Sequence, residues 1–221
     1  MGKHRRAISG LDGPGGKKSG CKAIELACHW LGQMDDAIER IVSLERLPEP
    51  IDCQPGCHYC CYNQPILTPL EALLIGRSVE ETFTDRARSE LFERMAGILE
   101  LTRDKSRDEI MMMRHDLPCI FLKDGMCSIY EVRPAICRAC SSTSAEHCAT
   151  VFESRDARAR LRCYAQIREI FQTVHSGLIE NCEDMGCQSD LLLIAEAMHD
   201  YFQHSRPMEA WLDGNKVFHP R

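Results

Sequence analysis

The sequence predicts a mostly α protein: a small helical domain with one short β-hairpin and a cysteine-rich metal-binding centre. Apolar residues recur at helical spacing over several separate stretches. Two short β-prone runs flank a Lys-Asp-Gly turn. Cysteine is abundant, with 14 in 221 residues, and many of these crowd the middle of the chain.

The first 20 residues carry five Lys or Arg against only Asp12 and are rich in Gly, so they are expected to be a disordered basic tail. Residues 21–221 are expected to form one cysteine-cluster domain, with its metal-binding core at about 50–140. From Cys21 to about Leu47, the residues Ile24, Ala27, Cys28, Leu31, Met34, Ile38, Ile41 and Val42 mark one helical face. Leu47-Pro48-Glu49-Pro50 ends that helix, because proline disfavours helix in the residue before it. A loop follows, Cys53-Gln-Pro-Gly-Cys57-His-Tyr-Cys60-Cys61. Thr68-Pro69-Leu70-Glu71 then carries a capping box and a proline at the first helical position, which starts a helix reaching about Glu81. Asp85 to Arg103 reads as another helix, with Leu91, Met95 and Ile98 inward.

Cys119 to Leu122 and Met126 to Tyr130 form the expected hairpin around Lys123-Asp124-Gly125. A long amphipathic helix is expected from about Arg155 to Leu178. Leu161, Tyr164, Ile167, Phe171 and Val174 face inward, and Gly177 fits a stop. Ser189 to Phe202 reads as the last helix. Met111-Met112-Met113 sits at a helix end and reads as core and edge.

Charge and targeting signals narrow the class of function. No apolar stretch after the basic N-terminus suits a signal peptide, and no window suits a membrane span. The expectation is a cytoplasmic protein without a membrane partner. In a reducing cytosol, clustered cysteines hold metal more often than disulfides. Outside the tail the chain is ten charges negative, which repels phosphate backbones, so no nucleic-acid partner is expected.

Four cysteines within nine residues, spaced CxxxCxxCC, do not follow helix or strand periodicity, so packing explains them poorly. The turn formed by Pro55 and Gly56 lets neighbouring thiolates converge, and convergence is what tetrahedral zinc or an iron–sulfur cluster requires. Adjacent Cys60 and Cys61 need a loop conformation or a binuclear site if both bind. Cys119, Cys127 and the CxxC pair Cys137/Cys140 supply further thiolates. The candidate ligands are therefore Cys53, Cys57, Cys60, Cys61, Cys119, Cys127, Cys137 and Cys140. Eight thiolates suit two mononuclear sites, one cubane with spares, or a polynuclear centre, and the cofactor is zinc or iron, an iron–sulfur cluster included.

Other side chains have plainer readings. Cys21 and Cys28 lie two turns apart on the first helix and Cys163 lies within a long one, so all three read as core. Cys148 and the Cys182/Cys187 pair stay open as completing ligands. His58 reads either as a ligand or as a solvent-exposed loop histidine. His29, His175, His199 and His204 lack partners at a metalloprotease spacing. No nucleophile elbow, P-loop or dinucleotide fingerprint occurs, so no catalytic constellation stands beyond the cysteine cluster.

The loop Cys53-x₃-Cys57-x₂-Cys60-Cys61, the following Thr68-Pro69-Leu70-Glu71 and the run from Cys119 to Arg138 together resemble the YkgJ-type cysteine-cluster family, described as a zinc- or iron-chelating domain. The resemblance covers roughly residues 50 to 140. It implies metal or iron–sulfur binding through Cys53, Cys57, Cys60, Cys61, Cys119, Cys127 and Cys137.

Three functions are consistent with these residues. The first is a metal-binding module in which the centre is structural or a store. The second is an iron–sulfur enzyme or electron carrier, methylase-like or radical S-adenosylmethionine-like. Cys53-x₃-Cys57-x₂-Cys60 has the radical signature spacing, but Cys61 could close the fourth position and no barrel repeats are present. The third is a zinc-finger-style protein-interaction module.

Overall fold

The computed structural model describes residues 16–54, 56–156, 158–159 and 161–220. The basic tail expected over residues 1–20 lies largely outside them. Helix α1, Gly16–Ser43, opens the described chain and buries Ala23, Ile24, Ala27, Leu31 and Met34 along one face. Cys28 is exposed and Cys21 half-buried, its thiol donating to Glu25 Oε1 at 3.3 Å. The expected core role fails for both, because they lie at the flank of the buried stripe.

Helix α2, Pro69–Thr82, begins as its sequence requires. The Thr68 hydroxyl accepts from the Glu71 amide, and the Glu71 carboxylate accepts from the Thr68 amide at 2.7 Å. Its turns bury Leu70, Leu73, Leu74 and Ile75. Helix α3, Asp85–Thr102, buries Leu91, Met95 and Ile98, as expected. A short helix α4, Arg107–Met112, is capped by Ser106 and Glu109 in the same manner. Met111 and Met112 point to solvent and only Met113 packs on the core, so the expected core role fails for the first two.

The hairpin is shorter than the sequence suggests. Strand β2, Leu122–Lys123, pairs antiparallel with β3, Met126–Cys127, around a turn in which Asp124 (φ 51°) and Gly125 (φ 74°) both take left-handed backbone. Ile120 and Phe121 leave the ladder to enter the core, and Tyr130 begins a 3₁₀ turn. Helices α5, Ala135–Ala139, and α6, Ala145–Glu153, follow.

The long amphipathic helix, α7, runs from Ala165 to Asp184, later than expected. Tyr164 caps it, and its hydroxyl donates to the Glu49 carbonyl, which takes the preceding segment out of helix. Cys163 is therefore not helical. Gly177 is not a stop but a point of close approach: a Cβ there would stand 2.5 Å from the Trp30 ring of α1. The C-terminus of α7 is instead closed by Gly186 (φ 66°), with the Cys187 amide donating to the Cys182 carbonyl at 2.9 Å. That motif accounts for Cys182 and Cys187 as a helix end packed on the core.

The last helix starts later than the sequence suggests, because a second strand pair precedes it. Strand β4, Leu192–Leu193, pairs antiparallel with β1, Ile66–Leu67, in the register Ile66↔Leu193. Helix α8, Ile194–Gln203, and helix α9, Pro207–Leu212, complete the fold. Trp211 is fully buried and its indole donates to the Gln188 carbonyl at 3.0 Å. Helices α1, α2, α5, α7 and α8 enclose one core, and the cysteine-bearing segments lie at the end of it where α5 meets α2. No helix among the described residues is long and apolar enough to cross a membrane.

Candidate metal centre

Backbone contacts gather the cysteine segments. The loop ends in a 3₁₀ turn, Tyr59–Tyr62, which places Cys60 and Cys61 on one tight curve. The Cys119 amide donates to the Cys61 carbonyl at 2.7 Å, and Gln64 Nε2 donates to the Leu117 carbonyl at 2.5 Å. The segment before the hairpin is thereby fastened to the loop. The hairpin turn lies over the loop as well: a Cβ on Gly125 would meet His58 Nδ1 at 3.7 Å and the Gly56 carbonyl at 3.9 Å. His58 Nδ1 lies 2.9 Å from the Gly56 carbonyl, and its ring stacks on Tyr59.

Helix α5 brings Cys137 and, at its C-terminal end, Cys140. Its start is fixed by the Glu71 carboxylate, whose Oε1 accepts from the Ala135 amide at 2.8 Å while Oε2 serves the α2 cap. One buried carboxylate thus sets the angle between α2 and the helix that carries two thiols. Arg138 is held by Asp35 of α1 and by the carbonyls of Arg133 and Glu131, which locks α5 from the other side.

The thiols are close enough to perturb one another. Cys60 is drawn below the ordinary thiol range, chiefly by the neighbouring Cys140 and Cys61 thiols. The same interaction with Cys60 pushes Cys61 and Cys140 up, and burial adds to both. Burial chiefly raises Cys119, pushed up to about 12, and lifts Cys137 strongly; each also feels the charge of Cys60 and Cys127. Burial likewise raises Cys127, Cys53 and Cys57. The guanidinium of Arg133 opposes the rise at Cys127 and Cys137 and adds to the fall at Cys60. It lies over the Tyr130 ring at 3.9 Å, and its buried Nε has no hydrogen-bond partner.

The structure therefore brings all eight sequence-predicted thiols into one region. Among the described residues, no three Cys, His, Asp or Glu side chains stand in a finished metal-binding arrangement; the donors are neighbours rather than a closed shell. The donor chemistry fits zinc or iron nonetheless. Such ions take thiolates that have lost their protons, and this set supplies eight thiols.

Residues 52–154 match the CxxCxxCC family model, described as a "putative zinc- or iron-chelating domain". The match supports this cysteine-cluster family for that segment. It spans the loop, the hairpin, α5 and α6, while α1 and the helices from α7 onward lie outside it. In this cysteine-cluster domain the first spacer has three residues, one more than the family's name spells. No curated protein and no solved structure matches the chain.

Two more thiols lie with the group: Cys148, which the sequence leaves open as a completing ligand, and Cys163, which it reads as core. Cys148, buried on α6, raises Cys53 and Cys57 by its charge, and Cys163 is raised by Cys148 and Cys53. Cys163 reaches them because its backbone forms an antiparallel bridge with Ser142, two residues after Cys140. Spacing alone carried no signal for this contact, since it depends on where the chain turns between α6 and α7.

Proposed function

We propose that this chain holds zinc or iron through Cys53, Cys57, Cys60, Cys61, Cys119, Cys127, Cys137 and Cys140, and that the centre is structural, tying the loop, the hairpin and α5 to one end of the helical core. The observation that carries this reading is the backbone framework that gathers the thiol-bearing segments: the Cys119 amide donates to the Cys61 carbonyl at 2.7 Å, and the Cys53 thiol faces the Cys140 carbonyl at 3.8 Å. An ion bound there would act as a cross-link between sequence-distant parts and would contribute directly to folding stability. The match of residues 52–154 to a zinc- or iron-chelating family agrees with it.

The helical fold weighs against radical S-adenosylmethionine chemistry. Among the described residues the strands form only two antiparallel pairs of two residues each, whereas a barrel needs a closed ring of parallel strands.

The test is anaerobic purification followed by elemental analysis, sulfide determination and an absorbance spectrum on one sample. Colourless protein containing zinc, with thermal stability that collapses on chelation, supports the structural reading. Iron with acid-labile sulfide and broad visible absorption would replace it with an iron–sulfur protein, and an electron carrier or enzyme would then be the reading to pursue. A partner protein recovered only with the metal-loaded form would favour the interaction module. Replacing Cys57 and Cys127 separately by Ser should lower metal content alike; unchanged content in both would overturn the shared centre.

A further inference from the structure

Ten thiols, not eight, lie in this region, and the charge each exerts on the others divides them. Cys119, Cys127 and Cys137 influence one another, and Cys119 and Cys137 act on Cys61. Cys53, Cys57, Cys148 and Cys163 form a second set, each linked by charge to at least one other member. Cys60 and Cys140 lie between the sets: Cys60 acts on both, and Cys140 feels Cys137 from one and Cys163 from the other.

Backbone geometry holds the second set together independently of charge. The Ser142 amide donates to Cys53 Sγ at 3.1 Å, and the Cys53 thiol faces the Cys140 carbonyl at 3.8 Å. The Asp52 amide donates to the Ser142 carbonyl at 2.9 Å, and Ser142 in turn bridges to Cys163. The Asp52 carboxylate accepts from the Ala145 amide at 2.7 Å, at the first turn of α6, which carries Cys148. Three segments that bear Cys53, Cys148 and Cys163 are thus fastened around residues 52 and 142, and Cys57 follows Cys53 in the loop.

From this arrangement we infer that Cys53, Cys57, Cys148 and Cys163 form a second thiolate site that takes its own thiophilic divalent cation, beside the ion held by Cys61, Cys119, Cys127 and Cys137. The inference rests on the reading of the region as a metal centre and deepens it: the centre holds two ions, with Cys60 and Cys140 between them. Four thiolates per ion satisfy tetrahedral coordination, and each thiol gives up its proton on ligation. Cys163 lies outside the segment matched by the family model, so the second site is completed by this chain's own extension toward α7.

The test titrates the reduced, metal-free full chain with zinc ions alone under anaerobic conditions and counts bound ions by native mass spectrometry. Two ions are expected per wild-type chain. A chain with Cys148→Ser and Cys163→Ser is expected to bind one, and so is a chain with Cys119→Ser and Cys127→Ser. Circular dichroism checks that each stays helical. Cys148 is buried, so Cys163→Ser alone serves if the double variant unfolds; it should weaken one of the two ions at least tenfold and leave the other. A single ion in the wild type, or two ions with unchanged affinity in Cys163→Ser, overturns the second site while leaving the metal-centre reading intact. A wild-type chain that binds no zinc at all overturns both.

Discussion

The Cys119 amide donates to the carbonyl of Cys61 at 2.7 Å, so two candidate ligands from distant parts of the chain are joined by backbone before any ion joins their side chains. Cys119 is buried, whereas Cys53 at the start of the loop is exposed. Hydrogen exchange followed by mass spectrometry should therefore change unequally on chelation. Protection is expected to fall most over residues 52–57 and least at the Cys119 amide; equal loss across both would show that the backbone contact itself depends on metal.

Glu71 serves two elements with one carboxylate, the α2 cap through Oε2 and the α5 amide of Ala135 through Oε1. Glu71→Ala should lower stability by about 2–3 kcal/mol, from the lost cap and the orphaned buried donors. Glu71→Gln keeps an acceptor oxygen and should lose less. Urea unfolding of the metal-loaded chain checks the order, and zinc affinity should fall with Glu71→Ala because α5 carries Cys137 and Cys140.

Gly177 lies under the Trp30 ring, where a Cβ would sit 2.5 Å from ring carbons. Alanine is the better helix former by about 1 kcal/mol, yet overpacking costs about 1–3 kcal/mol. The clash wins, because Trp30 is packed against the core and cannot swing aside as a flexible chain end would. Gly177→Ala should lower the thermal midpoint, and scanning calorimetry would show it.

Arg133 is a cation beside the thiols, lowering Cys60, Cys127 and Cys137. A tetrathiolate site around a divalent ion carries net negative charge, which the guanidinium offsets. Arg133→Gln should weaken zinc binding by roughly tenfold, the usual scale for a group that supports ligands without touching the ion. Competition against a chromophoric chelator measures it, and Arg133→Lys should recover part of the loss.

Cys182 stands apart from the metal region, and burial pushes its thiol up to about 12. An unfolded thiol titrates near about 8.5, so the folded state holds the proton longer than the unfolded one. The stability linked to this thiol is then fully present below about pH 8.5 and is lost as pH rises towards 12. Cys182→Ala should make the alkaline decline of urea stability shallower than in the wild type; parallel curves would assign the decline to other groups.

Local chemistry made much of the fold legible in the sequence. The capping box at Thr68 and Glu71, the apolar stripes of α1, α2 and α3, and the Asp124-Gly125 turn each depend on residues within a few positions of one another. The eight thiols of the loop, hairpin and CxxC stood out because their spacing matched no packing period. The start of α7 was not legible: Leu161 and Tyr164 continue the helical pattern, but the Tyr164 hydroxyl is committed to Glu49, and the chain stays extended there. Strand β4 reads as helix by propensity until Ile66 and Leu67 supply its partner.

The sequence by itself therefore determined a helical, cysteine-rich chain with thiols at metal-ligand spacing, because helix periodicity, capping and ligand spacing are short-range properties. The tertiary structure alone decided that Cys148 and Cys163 lie beside Cys53, while Cys28 faces solvent and Cys182 and Cys187 close a helix. Ser142 pairs with Cys163 and binds Cys53 only after the chain has turned through α6. Such long-range pairing leaves no periodic trace in either partner's own neighbourhood.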